Sequence, residues 1–297
     1  MTKFLTYDVF TNQKHSGNPL AIIPKAVDLS DLEMQKIARE FNLSETIFIL
    51  PKQNDHYTVR IFTPAQELPF AGHPTIGASI AIARIEKGND YKGQHKIVFI
   101  EKAGTVNISL NMDPKNGDYA EFIAPKTPVE GKLGLTNAQV AEILTLEETE
   151  IGFDGHIANL FDAGNAFFTF PIKSREALSR IEVNSSAAAR HIQNKFARAF
   201  YCYTAGENSK TKFSTRMFSL DWSMNEDPAT GSAATSFAGA VAKHLQLADG
   251  EHNFSLDQGV DMGRPSEIRL TIIMDSAQIS QVRIGGYAVP ISHGELY

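Results

Sequence analysis

The chain has 297 residues, 42% hydrophobic and 21% charged, with 21 Gly and 13 Pro, which excludes disordered, collagen-like and coiled-coil classes. A net charge of −6 argues against broad binding to nucleic acid or anionic membranes, which need a basic face. No apolar run approaches the roughly 20 residues of a membrane span, and the single cysteine, Cys202, excludes an intramolecular disulfide. Asp8 interrupts the N-terminal stretch where a signal peptide needs unbroken apolar residues, so a cytoplasmic protein is expected.

In chain order, 4–10 reads as a strand, 11–18 as turn chemistry and 20–23 as a short buried run ended by Pro24. Ser30 with Glu33 forms a capping box, and Leu32, Met34, Ile37 and Ala38 carry the apolar stripe of a helix to about Phe41. Strands are predicted over 46–50 and 57–62. An Ala- and Ile-rich helix follows from Pro74 to Glu86, ended by Gly88. Three strands come next at 97–100, 105–111 and 119–123, the last two joined by Asn116-Gly117. The stretch 125–134, with Pro125, Pro128, Gly131 and Gly134, reads as a linker, after which Thr136 opens a helix over 138–144.

The two halves echo one another. Gly17-Asn18-Pro19 matches Gly164-Asn165-Ala166, and Arg60-Ile61-Phe62 matches Arg216-Met217-Phe218. The segment from Glu67 to His73 aligns with that from Glu226 to Ser232, each entering an Ala-rich helix. Gly104 before 106–110 likewise matches Gly263 before 268–273. The offsets cluster near half the chain length: 147 for Asn18/Asn165, 156 for Arg60/Arg216 and 159 for Gly72/Gly231. Four matches in one order point to a duplicated unit, with domains expected over 1–118 and 130–280 and the tail 281–297 returning to the first. The expected fold class is α+β.

In each half a Pro-x-x-Gly segment ends a loop and leads directly into a helix. A helix N-terminus carries unpaired N–H groups and a positive dipole end, which suits a carboxylate, and Gly72 and Gly231 would let the backbone approach it closely. The alternative is that both glycines only make turns. His73, Asp227 and Ser232 stand beside these glycines. Glu45 lies between Leu43 and Ile47-Phe48, and a carboxylate at such an apolar border is partly desolvated and suited to proton transfer near neutrality. No dinucleotide, phosphate-loop, nucleophile-elbow or zinc-protease motif occurs, and the nine histidines show no ligand spacing. Nucleotide, hydrolase and metal chemistry lose ground on this pattern, and no built-in metal site is expected.

These blocks together resemble the PhzF family of phenazine-biosynthesis-like proteins. The resemblance rests on Asp8-Val9-Phe10-Thr11, Gly17-Asn18-Pro19-Leu20-Ala21, Ser44-Glu45-Thr46 and Phe62-Thr63-Pro64. It continues through Gly72-His73-Pro74-Thr75, Asp227-Pro228-Ala229-Thr230-Gly231-Ser232, Gln258-Gly259, Met262-Gly263-Arg264-Pro265-Ser266 and Val282-Arg283-Ile284-Gly285-Gly286. It implies the diaminopimelate-epimerase-like fold: two pseudo-symmetric domains, each a curved, mostly antiparallel sheet around a central helix, with the active site in the cleft between them. It further implies a cofactor-independent isomerase, assembled as a homodimer, acting on a small-molecule carboxylate. The family's catalytic glutamate falls on Glu45, its supporting histidine, aspartate and serine on His73, Asp227 and Ser232, and its paired glycines on Gly72 and Gly231; Asn18 joins the substrate-binding set. The related two-thiol racemases place a cysteine before each of those glycines, where this chain has Ala71 and Thr230, so a two-thiol mechanism is not expected. Cys202, far from both motifs, reads as a core thiol. Two other readings remain open: a binding or interaction protein on the same fold, and an epimerase or lyase pairing Glu45 with Asp227.

Overall fold

The computed structural model describes residues 1–192, 197, 199–206, 209–220 and 226–297. The chain divides into two compact units. Unit 1 comprises residues 1–125, 263–268 and 283–297, and unit 2 comprises 126–262 and 269–282.

Unit 1 holds β1 (Thr2–Val9), β2 (Asn18–Ile23), α1 (Asp31–Phe41), β3 (Glu45–Ile49), β4 (Tyr57–Phe62) and β5 (Glu67–Leu68). It continues with α2 (Gly72–Lys87), β6 (Gly93–Glu101), β7 (Gly104–Met112) and β8 (Asp118–Ile123). The predicted capping box forms: the Ser30 hydroxyl accepts from the Glu33 amide, and the Glu33 carboxylate accepts from the Ser30 amide. Asn42, in the left-handed conformation, ends α1. The pairings run β1–β2, β2–β3, β3–β4, β4–β6, β6–β7 and β7–β8. Only β2–β3 and β4–β6 are parallel. A long strand near the C-terminus, numbered β17 below, closes this barrel by pairing antiparallel with both β8 and β1. Inside runs α2, buried from Gly72 to Ala83 and packed on β1, β2, β3, β6, β7 and β8. A helix that is apolar all round has to be enclosed on every side, and a closed barrel does this.

Unit 2 holds β9 (Val129–Gly131), α3 (Asn137–Leu144), β10 (Asn159–Asp162), β11 (Ala166–Pro171), α4 (Arg175–Ser179), α5 (Ser185–His191) and β12 (Ala199–Gly206). After these come β13 (Ser209–Ser219), β14 (Glu226–Asp227), α6 (Gly231–Leu245), β15 (Gly250–Gln258), β16 (Ser266–Asp275) and β17 (Gln278–Leu296), the last two shared with unit 1. The stretch read as a linker contains β9, whose residues pair antiparallel with β10. Its prolines sit outside the paired residues, so they block no ladder bond. The pairing order β1-β2-β3-β4-β6 recurs as β10-β11-β12-β13-β15, with the parallel steps at the same places. Segment 263–268 lies with unit 1 rather than with the second repeat. The Arg264 guanidinium donates to Asp8 Oδ1 (2.7 Å) and to the carbonyls of Gly17 and Ser16 (both 2.7 Å), and the Gly17 amide donates to the Pro265 carbonyl.

Packing around α6 allows one test. A Cβ added at Gly239 would come within 2.3 Å of the Phe161 ring. Gly-to-Ala in a helix normally gains up to about 1 kcal/mol, but overpacking a core costs about 1–3 kcal/mol. Gly239→Ala is therefore expected to lower unfolding stability by about 1 kcal/mol in urea titration. A stabilised variant would contradict this packing.

Candidate active site

In unit 1, β2 and β3 run in parallel with Leu20 opposite Glu45, so Asn18 and Glu45 both lie at the starts of neighbouring strands. Glu45 follows Asn42, which turns the chain out of α1, by three residues. His73 is the second residue of α2. Both side chains are buried, with Glu45 5% and His73 3% exposed, and His73 Nε2 lies 3.5 Å from Glu45 Oε2. Burial pushes the His73 ring down to about 3, which leaves it neutral near pH 7. The 3.5 Å approach is thus two polar groups converging, not an ion pair. Gly72 begins α2, and no side chain caps that helix.

Unfolded, the His73 ring binds a proton below about 6.5; folded, it does so only near 3. The unfolded chain therefore takes up more protons between these values, so this residue's contribution to stability is lost as pH falls through that window, at up to about 1.4 kcal/mol per pH unit. Wild type is expected to lose more stability than His73→Gln between pH 6.5 and 4.5. Long-range ¹H–¹⁵N spectra at pH 5 are expected to show one protonated and one bare ring nitrogen on His73; an imidazolium pattern would refute the assignment.

In unit 2, Asp227 is the second residue of β14, opposite Met217 on β13, and is 4% exposed. Beside it the Arg216 guanidinium grips Glu226 through Nε and Nη2 (both 2.8 Å), as Arg60 grips Glu67 (2.8 and 2.7 Å) in the other repeat. Gly231 starts α6 and is buried; Ser232 follows and is partly exposed. Neither Gly72 nor Gly231 has a positive φ, so what glycine offers at these places is the missing Cβ rather than a turn conformation.

The structure thus brings Glu45 and His73 together and places Asn18 and Gly72 in the same unit, with Asp227, Gly231 and Ser232 in the other. The Asn18/Asn165 echo is unequal: Asn18 is buried and Asn165 exposed. The sequence did not single out Thr230 and Gln258 as partners of Asp227. The Thr230 hydroxyl donates to Asp227 Oδ2 at 2.5 Å, and the Gln258 amide donates to the Asp227 carbonyl at 2.8 Å. The signal was present in the repeat, where Ala71 stands at the place of Thr230. Cys202 is fully buried on β12, and burial pushes its thiol well above the ordinary range, which removes it as a nucleophile.

Residues 7–294 match the family model described as phenazine biosynthesis-like protein, PhzC–PhzF. An uncharacterized isomerase of Mesorhizobium japonicum is 38% identical over 300 residues, covering 99% of this chain and 98% of that protein. The trans-2,3-dihydro-3-hydroxyanthranilate isomerase of Pseudomonas aeruginosa is 31% identical over 311 residues, covering 100% of both. Among solved structures, the Bacillus anthracis phenazine biosynthesis protein of the PhzF family shares the fold with a TM-score of 0.88. That match covers 100% of this chain and 99% of that one at 22% identity. With these relatives, a sheet-rich α+β fold and a buried Glu–His pair, the chain is an enzyme of the isomerase class. It belongs to the phenazine biosynthesis-like, or PhzF, family.

Proposed function

We propose that the chain is a cofactor-independent isomerase that moves a proton between carbons of a small anionic substrate, with Glu45 as the single base and acid. The observation that carries this reading is the buried Glu45–His73 pair at 3.5 Å. Glu45 takes the proton from carbon, and the electron pair left behind spreads into the adjacent unsaturated or carbonyl system. The same carboxylate then returns the proton to another carbon on that face. One carboxylate suffices when the substrate is held still and water is kept out. A neutral His73 can hydrogen-bond the developing charge without competing for the proton. Asp227 would hold an amine or hydroxyl of the substrate. Ser232 and the backbone at Gly72 and Gly231 would receive its carboxylate, and Asn18 would complete the contacts. A cytoplasmic homodimer belongs to the same proposal.

The Pseudomonas aeruginosa relative is named for trans-2,3-dihydro-3-hydroxyanthranilate, an amino-hydroxy acid of the proposed kind, so that compound is the first probe. It and a panel of amino and hydroxy acids are incubated in D₂O and followed by NMR. Deuterium is expected to enter a carbon position with wild type and not with Glu45→Gln. Saturable binding without wash-in across the panel would point instead to a binding protein. Inverted configuration at the labelled carbon would point to a two-base epimerase using Asp227.

A further inference from the structure

We infer that Thr230 and Gln258 are a positioning pair that holds the Asp227 carboxylate in one orientation, an inference that rests on Asp227 serving the proton transfer proposed above. All three residues are more than nine-tenths buried. The Thr230 hydroxyl has one proton to donate. It accepts from Gln258 Nε2 at 3.1 Å and is 2.5 Å from Asp227 Oδ2, so its own proton points at the carboxylate. The Gln258 amide cannot flip, because its other contacts are fixed by polarity: Nε2 donates to the Asp227 carbonyl (2.8 Å) and Oε1 accepts from the Thr230 amide (3.2 Å). Thr230 occupies the N-cap of α6, yet its side chain makes no capping bond. The hydroxyl is diverted from the helix, its usual partner at this position, to Asp227.

The first repeat serves as an internal control. At the 159-residue offset, Asp227 corresponds to Leu68 and Thr230 to Ala71. Strand register supplies the third correspondence. On β6 alongside β4, Thr58 faces Ile100 and the strand ends at Glu101; on β15 alongside β13, Ser214 faces Asp257 and the strand ends at Gln258. Where the carboxylate is absent, the hydroxyl is absent too, and the amide is replaced by a buried acid whose Oε1 lies 2.8 Å from the Thr75 hydroxyl instead. The loop into α2 folds with Ala71 at its cap, so entering the helix does not require the threonine hydroxyl. At these positions the hydroxyl and amide occur only in the repeat that carries a carboxylate at the place of Asp227.

The test needs no substrate. The full-length protein is labelled with [¹³C]aspartate, Asp227 is assigned with Asp227→Asn, and its carboxyl carbon is followed against pH. A donor to the ionised form favours that form. Thr230→Val, which keeps the shape but loses the O–H, is therefore expected to move Asp227 protonation up by about one pH unit, a tenfold change in proton affinity. Thr230→Ser is expected to restore the wild-type midpoint. Gln258→Met, which frees the hydroxyl from its fixed orientation, is expected to move it in the same direction by less. A folded Thr230→Val with an unchanged midpoint would overturn the inference, as would lost stability with no shift, which marks a merely structural role. If Thr230→Val does not fold, an unchanged midpoint in Gln258→Met overturns it. Retained deuterium exchange in Glu45→Gln would sink the one-base reading with Glu45 but leave this measurement standing, so the two can fail separately.

Discussion

Glu45→Gln is expected to slow exchange of the carbon-bound proton by at least about 10²-fold, the lower end of what a positioned general acid–base contributes. The substitution keeps size and hydrogen-bonding shape, so the β2–β3 register that places residue 45 opposite Leu20 is unaffected. The loss is expected in kcat with little change in KM, because an amide can still contact a bound ground state but cannot take its proton. Matched circular dichroism and thermal midpoints would separate a chemical loss from a folding one. Unchanged turnover in a folded Glu45→Gln protein would remove Glu45 as the base.

The second large effect concerns stability. Arg216 is 8% exposed and holds Glu226 through two hydrogen bonds. It also donates to the carbonyls of Leu178 (2.9 Å) and Ser179 (3.1 Å) at the end of α4 and lies over the Phe218 ring. Glu226 is partly exposed, so the cost comes from stranding its charge together with the loss of Arg216's own buried packing and its bonds to the α4 carbonyls, and Arg216→Ala is expected to cost about 3 kcal/mol in urea unfolding. Arg60→Ala breaks the matching grip on Glu67. It is expected to cost less, because the Arg60 side chain is more exposed and its second partner, Asp31, lies at the surface. Arg216→Lys is expected to recover only part of the loss, since an ammonium cannot reproduce the two-pronged contact. Equal costs for the two alanine variants would show that burial is not what separates them.

How much of this was legible beforehand depended on the range of the interactions. The start of α1 could be read because the Ser30–Glu33 box lies within three residues. The β4 strand could be read because β-branched and aromatic residues dominate its six positions. The family could be read from the residue blocks around Gly72 and Gly231, which local sequence carries whole. The strand β9 was hidden in the predicted linker because three residues that pair with a distant strand leave no periodic pattern. The return of 263–268 to unit 1 was hidden for a similar reason: it rests on Arg264 reaching Asp8 and the carbonyls of Ser16 and Gly17, more than 240 positions away.

Sequence alone determined the chemistry available to this protein: which side chains stand beside the two helix starts, and that the places before both glycines hold Ala71 and Thr230 rather than thiols. Tertiary structure decided what those groups are. Enclosing α2 in a closed barrel strips water from His73 and makes it neutral, a consequence of burial that no residue pattern records. The parallel pairing of β2 with β3 carries Glu45 to that histidine across 28 positions of chain. The end of β15 brings Gln258 to Thr230, and so to Asp227, across another 28. Side-chain protonation and orientation are set by neighbours distant in sequence, so they appear only once the chain has folded.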